Sequence, residues 1–122
     1  LLYNNQLFYF SKNGKIIDKF RERINKSFII FYGNQASREA YNFLNIINKT
    51  ETLNMIKEGY YINGRRWDVR LHNNILLNLS EINIEDSLKN YMKLIKKFNN
   101  SDIIKIKSID LRDSEKAIIS FK

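Results

Sequence analysis

An α+β fold, with two helices packed on a mixed, largely antiparallel β-sheet, is predicted by three features of the sequence. Several short β-prone runs are separated by Asn-Gly and Asn-Asn turn signals. Two longer segments repeat apolar residues at helical spacing. The 122 residues form a chain of one-domain length, 43% hydrophobic and 13% aromatic, which places it among folded chains rather than disordered ones.

The elements follow in order. Leu7-Phe8-Tyr9-Phe10, then Asn13-Gly14, then Ile16-Ile17, predicts a first hairpin. Residues 27 to 32 form a compact apolar run that ends in Gly33-Asn34, a buried strand leaving into a turn. From about Ser37, Ala40, Phe43, Leu44 and Ile47 fall at i, i+3, i+4 and i+7, one face of a helix. Leu53 and Ile56 suggest a second, short helical piece. Gly59 then precedes a strand at Tyr60-Tyr61-Ile62, which Asn63-Gly64 turns into Arg65-Arg66-Trp67.

In the next strand Trp67, Val69 and Leu71 alternate with Asp68 and Arg70, so one face is wet. A two-residue loop at Asn73-Asn74 would set Leu71 against Leu76 and Val69 against Asn78, mixing polar and apolar residues. A three-residue loop, His72-Asn73-Asn74, instead pairs Leu71 with Ile75, Val69 with Leu77 and Trp67 with Leu79. It requires a left-handed Asn74, which Asn tolerates. Asn83 is placed to cap a second helix, with Glu85 and Asp86 near its positive end and Leu88, Tyr91, Met92 and Ile95 on its buried face. Asn99-Asn100-Ser101 is expected to stop it. Strands from about Ile103 to Leu111 and from Ala117 to Phe121 then close the chain as a hairpin around Asp113-Ser114-Glu115.

No linker-like segment divides residues 1–122, so a single domain is expected. The chain opens at Leu1 without Met and holds no apolar run long enough to span a bilayer, which leads to the expectation that it is part of a longer protein. The absence of cysteine excludes disulfides, thiolate metal sites and a cysteine nucleophile. The net charge of +8 raises a nucleic-acid-binding module, using the Lys-rich helix at 84 to 98, as the alternative function. The cations are spread from Lys12 to Lys122, however, as on a solvated surface, and no nucleic-acid partner is expected.

Catalytic chemistry finds little support. His72 is the lone histidine and sits in a turn, and there is no phosphate-cradling glycine loop or H-E-x-x-H helix. Asp68 and Asp110 have Arg neighbours, so ion pairing accounts for them without a catalytic role. Phe8, Tyr9, Phe10, Tyr60, Tyr61 and Trp67 offer rings for base stacking, but Trp67 shares a face with Val69 and Leu71 and belongs to the core. No enzyme activity, metal or cofactor is expected.

At Gly64-Arg65-Arg66-Trp67-Asp68-Val69-Arg70-Leu71, followed by Asn73, Ile75 to Leu79 and later Ile109-Asp110-Leu111-Arg112, the sequence resembles the β-domain of the FtsQ/DivIB family of bacterial cell-division proteins. The order of these strings is collinear with the family over nearly the whole chain. The resemblance implies a single-pass inner-membrane protein with a short cytoplasmic tail, one membrane helix and a POTRA domain, all outside this chain, and this domain in the periplasm. It further implies a non-catalytic divisome scaffold whose FtsB/DivIC-like and FtsL-like partners add a strand to the C-terminal sheet edge.

A terminal strand is a natural edge whose unpaired backbone groups template an incoming strand, and Ala117, Ile118, Ile119, Ser120 and Phe121 form that candidate. The family pattern adds Arg112, a bidentate donor for a partner carboxylate, Phe121, at a family aromatic position, and one of Arg65 and Arg66. Some family members carry Tyr directly after the D-L-R string, where this chain has Asp113.

Overall fold

The computed structural model describes residues 29–122 and, ahead of them, the backbone of four two-residue strands: β1 (Leu2–Tyr3), β2 (Gln6–Leu7), β3 (Tyr9–Phe10) and β4 (Ile16–Ile17). The antiparallel pairing of β3 with β4, Tyr9 opposite Ile17, agrees with the first predicted hairpin, whereas Leu7, expected in its first arm, belongs to β2 and pairs with Leu2 of β1. Phe8, Asn13 and Gly14 lie outside the described residues. Then come β5 (Ile30–Tyr32), α1 (Ala36–Lys49), a 3-10 turn (Leu53–Met55), β6 (Ile56–Ile62), β7 (Arg66–Leu71) and β8 (Leu76–Asn78). The chain finishes with α2 (Ile84–Ile95), α3 (Asn100–Ile103), β9 (Ile106–Asp110) and β10 (Ile118–Phe121).

The result is an α+β fold built on a mixed sheet, in the order β10-β9-β8-β7-β6-β5-β1-β2. Its six strands within residues 29–122 are two βαββ units placed side by side. In β5-α1-β6-β7 the first two strands are parallel and the last antiparallel, and β8-α2-β9-β10 repeats that pattern. The antiparallel β7–β8 hairpin joins the two. Parallel neighbours need a crossover, and in each unit the helix supplies it.

One ladder row shows how alternation builds the core. Phe31, Gly59, Val69, Leu77, Ile109 and Ile119 are successive cross-strand partners from β5 to β10. All four non-glycine members on β5 to β9 are fully buried, and Ile119 packs against their edge. The helices lie on this face: Ala40, Phe43, Leu44 and Ile47 of α1 and Leu88 and Tyr91 of α2 join the same cluster, as their spacing predicts. Phe43 stacks on Trp67 with centroids 4.6 Å apart, and Phe31 meets Trp67 edge-on at 5.4 Å. The missing side chain of Gly59 makes room for this packing, since a Cβ there would stand 2.8 Å from the Phe31 ring.

The β7–β8 hairpin has the three-residue loop and apolar face expected of it. The Leu71 amide donates to Ile75 O, the Leu79 amide donates to Trp67 O, and Val69 faces Leu77. Asn74 is left-handed at φ 72°. The β6–β7 loop spans Asn63 to Arg65, with Asn63 and Gly64 both at positive φ and the Arg65 amide donating to Ile62 O.

Other boundaries differ from expectation. Leu53 starts a 3-10 turn, whereas Ile56 already belongs to β6, so Gly59 lies inside that strand rather than before it. Asn83 occupies the N-cap position of α2 but its side chain makes no capping bond. Instead, Ser80 Oγ accepts from the Ile82 and Asn83 amides, while buried Ser87 Oγ accepts from the Ser80 amide and donates to Leu111 O. The second helix ends at Ile95, and Asn99 caps a further helical turn, α3, by accepting from the Asp102 amide at 2.9 Å. That turn consumes residues predicted to open the next strand, so β9 begins at Ile106.

Candidate functional site

β10 is an edge strand with no neighbour beyond it among the described residues. Its outward backbone groups follow from the ladder. The Leu111 amide donates to Asn78 O, so the odd-numbered residues at this end of β9 address β8 and the even-numbered ones address β10. Asp110 and Ser108 therefore pair with Ile118 and Ser120, leaving the N–H and C=O of Ile119 and Phe121 directed away from the sheet. Ala117 lies just before the strand and is exposed.

The side chains along this edge are equally open. Ile118 is 56% and Phe121 55% exposed, and Ser120 is exposed too, whereas Ile119 is half-buried against the core. Phe121 is opposite Ile106, past an irregularity in the ladder, and so marks the far end of the strand from Arg112.

At the near end the sheet brings together the three arginines singled out in the sequence. Arg65 and Arg66, from the β6–β7 loop and the start of β7, share a concavity with Arg112, Ser80, Glu81 and Ile82. The pairing of β7 with β8 and of β8 with β9 makes this possible by placing Asp68, Asn78 and Asp110 in one row. Arg112 also walls a second hollow, on the side of Ile118, with Asp110, Asp113 and Lys116.

The charges here are held by local pairs. Arg66 Nε lies 3.4 Å from Asp68 Oδ1, and Asp68 is buried. Arg112 donates from Nη2 and Nε to the Asp110 carboxylate, whose Oδ1 also accepts the Arg112 amide. The hydrogen bonds from Arg112 hold the Asp110 carboxyl below its ordinary range against the opposing effect of burial. The guanidinium is thus already engaged with Asp110, while the Arg112 side chain stays about half exposed.

The side chains of Phe8, Tyr9 and Phe10 lie outside the described residues, and Trp67 is not available for stacking. Trp67 is buried beneath Phe43, and Tyr60 lies nearly parallel to Tyr32 with centroids 5.2 Å apart and its hydroxyl donating to Glu58. Exposed His72 stays in the β7–β8 loop, and no cluster of three or more His, Cys, Asp or Glu suited to a metal occurs among the described residues.

The sequence placed Lys93 and Lys97 on the Lys-rich helix but did not reveal the groove that they line with Lys116, Leu94, Leu111 and Ala117. The i, i+4 spacing of Lys93 and Lys97 signalled one helix face. Nothing local indicated that the β9–β10 turn would bring Lys116 to it.

No helix among the described residues is long and apolar enough to cross a membrane. None of the curated proteins compared matches this chain. Residues 2–112 match the family model described as Cell division protein FtsQ/DivIB, C-terminal, a span from the first strand through the Asp110–Arg112 pair. The chain therefore belongs to the FtsQ/DivIB family of cell-division proteins.

Proposed function

We propose that this chain is the partner-binding domain of a non-catalytic divisome scaffold, capturing FtsB/DivIC-like and FtsL-like proteins by strand addition along β10. In the whole protein a single membrane helix and a POTRA domain precede it, and the domain itself lies in the periplasm. Membership of a cell-division family supports the general role. The observation that carries the mode of binding is the open edge at β10, with the backbone groups of Ile119 and Phe121 directed outward. Ladder hydrogen bonds would supply affinity, and Ile118, Phe121 and the Arg65, Arg66 and Arg112 cluster would supply selectivity.

The test is capture of the extracytoplasmic segment of an FtsB/DivIC-like partner. Ile119→Pro removes an outward donor and abolishes capture, whereas Ile119→Ala keeps the amide and retains it. Both variants remain folded by circular dichroism. Undiminished capture by folded Ile119→Pro would refute strand addition.

A further inference from the structure

A basic groove lies beside β10. Residues 89–122 carry nine Lys and Arg against four Asp and Glu, a net charge of +5 out of +8 for the chain. Lys93 on α2 and Lys97 in the turn just past its end line a groove of about 200 Å³, and Lys116 in the β9–β10 turn stands on the other side. Leu94, Leu111 and Ala117 contribute apolar surface, and Asp113 and Glu115 belong to the turn side. All three lysines are exposed, and none forms an ion pair within 4 Å among the described residues.

The groove is continuous with the open edge, because Ala117 both lines it and immediately precedes β10. The repeated βαββ units give the direction of an added strand. β10 ends its unit as β7 ends the first, and the outer side of β7 is occupied by β8, antiparallel. A strand taking the corresponding place on β10 has its C-terminal end beside Ala117.

We propose that this groove receives acidic side chains at the C-terminal end of the added strand, an inference that rests on strand addition at β10. The lysine stems cover apolar surface while their ammonium groups meet the carboxylates, so the site selects an acidic polypeptide.

Binding of the purified extracytoplasmic segment of an FtsB/DivIC-like partner, followed by fluorescence anisotropy at low and high salt, tests this. The Lys93→Glu/Lys97→Glu double variant is expected to keep its melting temperature, bind about tenfold more weakly and lose part of its salt dependence. A partner whose carboxylates at that strand end are replaced by amides should bind more weakly too, and the two losses should not add. Wild-type affinity in the double variant, with Ile119→Pro still inactive, would overturn the groove assignment while leaving strand addition intact. Loss of single-stranded DNA retention without loss of partner binding would also overturn it, in favour of a nucleic-acid contact. Full binding by folded Ile119→Pro would remove both.

Discussion

Arg112 donates from Nη2 to Asp110 Oδ2 at 2.7 Å and from Nε to Asp110 Oδ1 at 3.0 Å, closing a clamp at the exit of β9. Residues two apart on a strand share a face, so the D-L-R string itself sets up the contact while Leu111 points into the core. The clamp fixes an exposed guanidinium between two hollows before any partner arrives. An arginine already held in place loses less conformational entropy when a ligand reaches it.

The same pair makes stability depend on acid. Asp110 has a lowered pKa in the folded chain, so its contribution is fully present above the unfolded value near 3.8 and is lost as pH falls through the folded value. Urea unfolding followed from about pH 5 down to about pH 2.5 is expected to show a steeper loss for the wild type than for Asp110→Asn. Because the Arg112 side chain is 52% exposed, solvent screens the pair and the difference is modest. Parallel curves would remove Asp110 from the acid response.

Gly59 is a packing requirement at the centre of the sheet. A methyl group there would meet Phe31 Cδ1 at 2.8 Å and Cε1 at 3.0 Å, and Phe31 is fully buried between Phe43 and Trp67. Gly59→Ala is expected to destabilise the fold by roughly 1–3 kcal/mol, read from the urea midpoint. An unchanged midpoint would mean that the Phe31 ring relaxes without cost.

Ser87 ties α2 to the strand that carries the Arg112 clamp. Its buried hydroxyl donates to Leu111 O at 3.1 Å and accepts the Ser80 amide at 3.0 Å. Ser87→Ala leaves both backbone groups without that partner and should cost about 1–3 kcal/mol. Ser87→Thr, which keeps the hydroxyl, should recover part of the loss, and equal losses in the two variants would show that the extra volume matters more than the bonds.

Much of the architecture was legible because periodicity and turn chemistry agreed. Val69 and Leu77 share a face only in the three-residue register, and that register requires the left-handed Asn74 that is found. The apolar faces of α1 and α2 followed from 3.6-residue spacing alone. What escaped was decided by contacts across the fold. Ser80 and Ser87, rather than Asn83, satisfy groups around the start of α2, and their alignment depends on where Leu111 lies. Polar Asn99 and Asn100 suggest a stop, yet Asn99 satisfies a free amide and so starts another helical turn. At the candidate site, the edge position of β10 could be anticipated from chain order. The meeting of Arg65, Arg66 and Arg112 depends on the parallel β8–β9 pairing, which no local pattern encodes.

Residue-resolved hydrogen exchange along β10 tests strand addition most directly. With a saturating FtsB/DivIC-like segment, the outward amides of Ile119 and Phe121 are predicted to slow strongly, while those of Ile118 and Ser120, already paired with β9, change little. Unaltered exchange at Ile119 and Phe121 in the bound domain would contradict it.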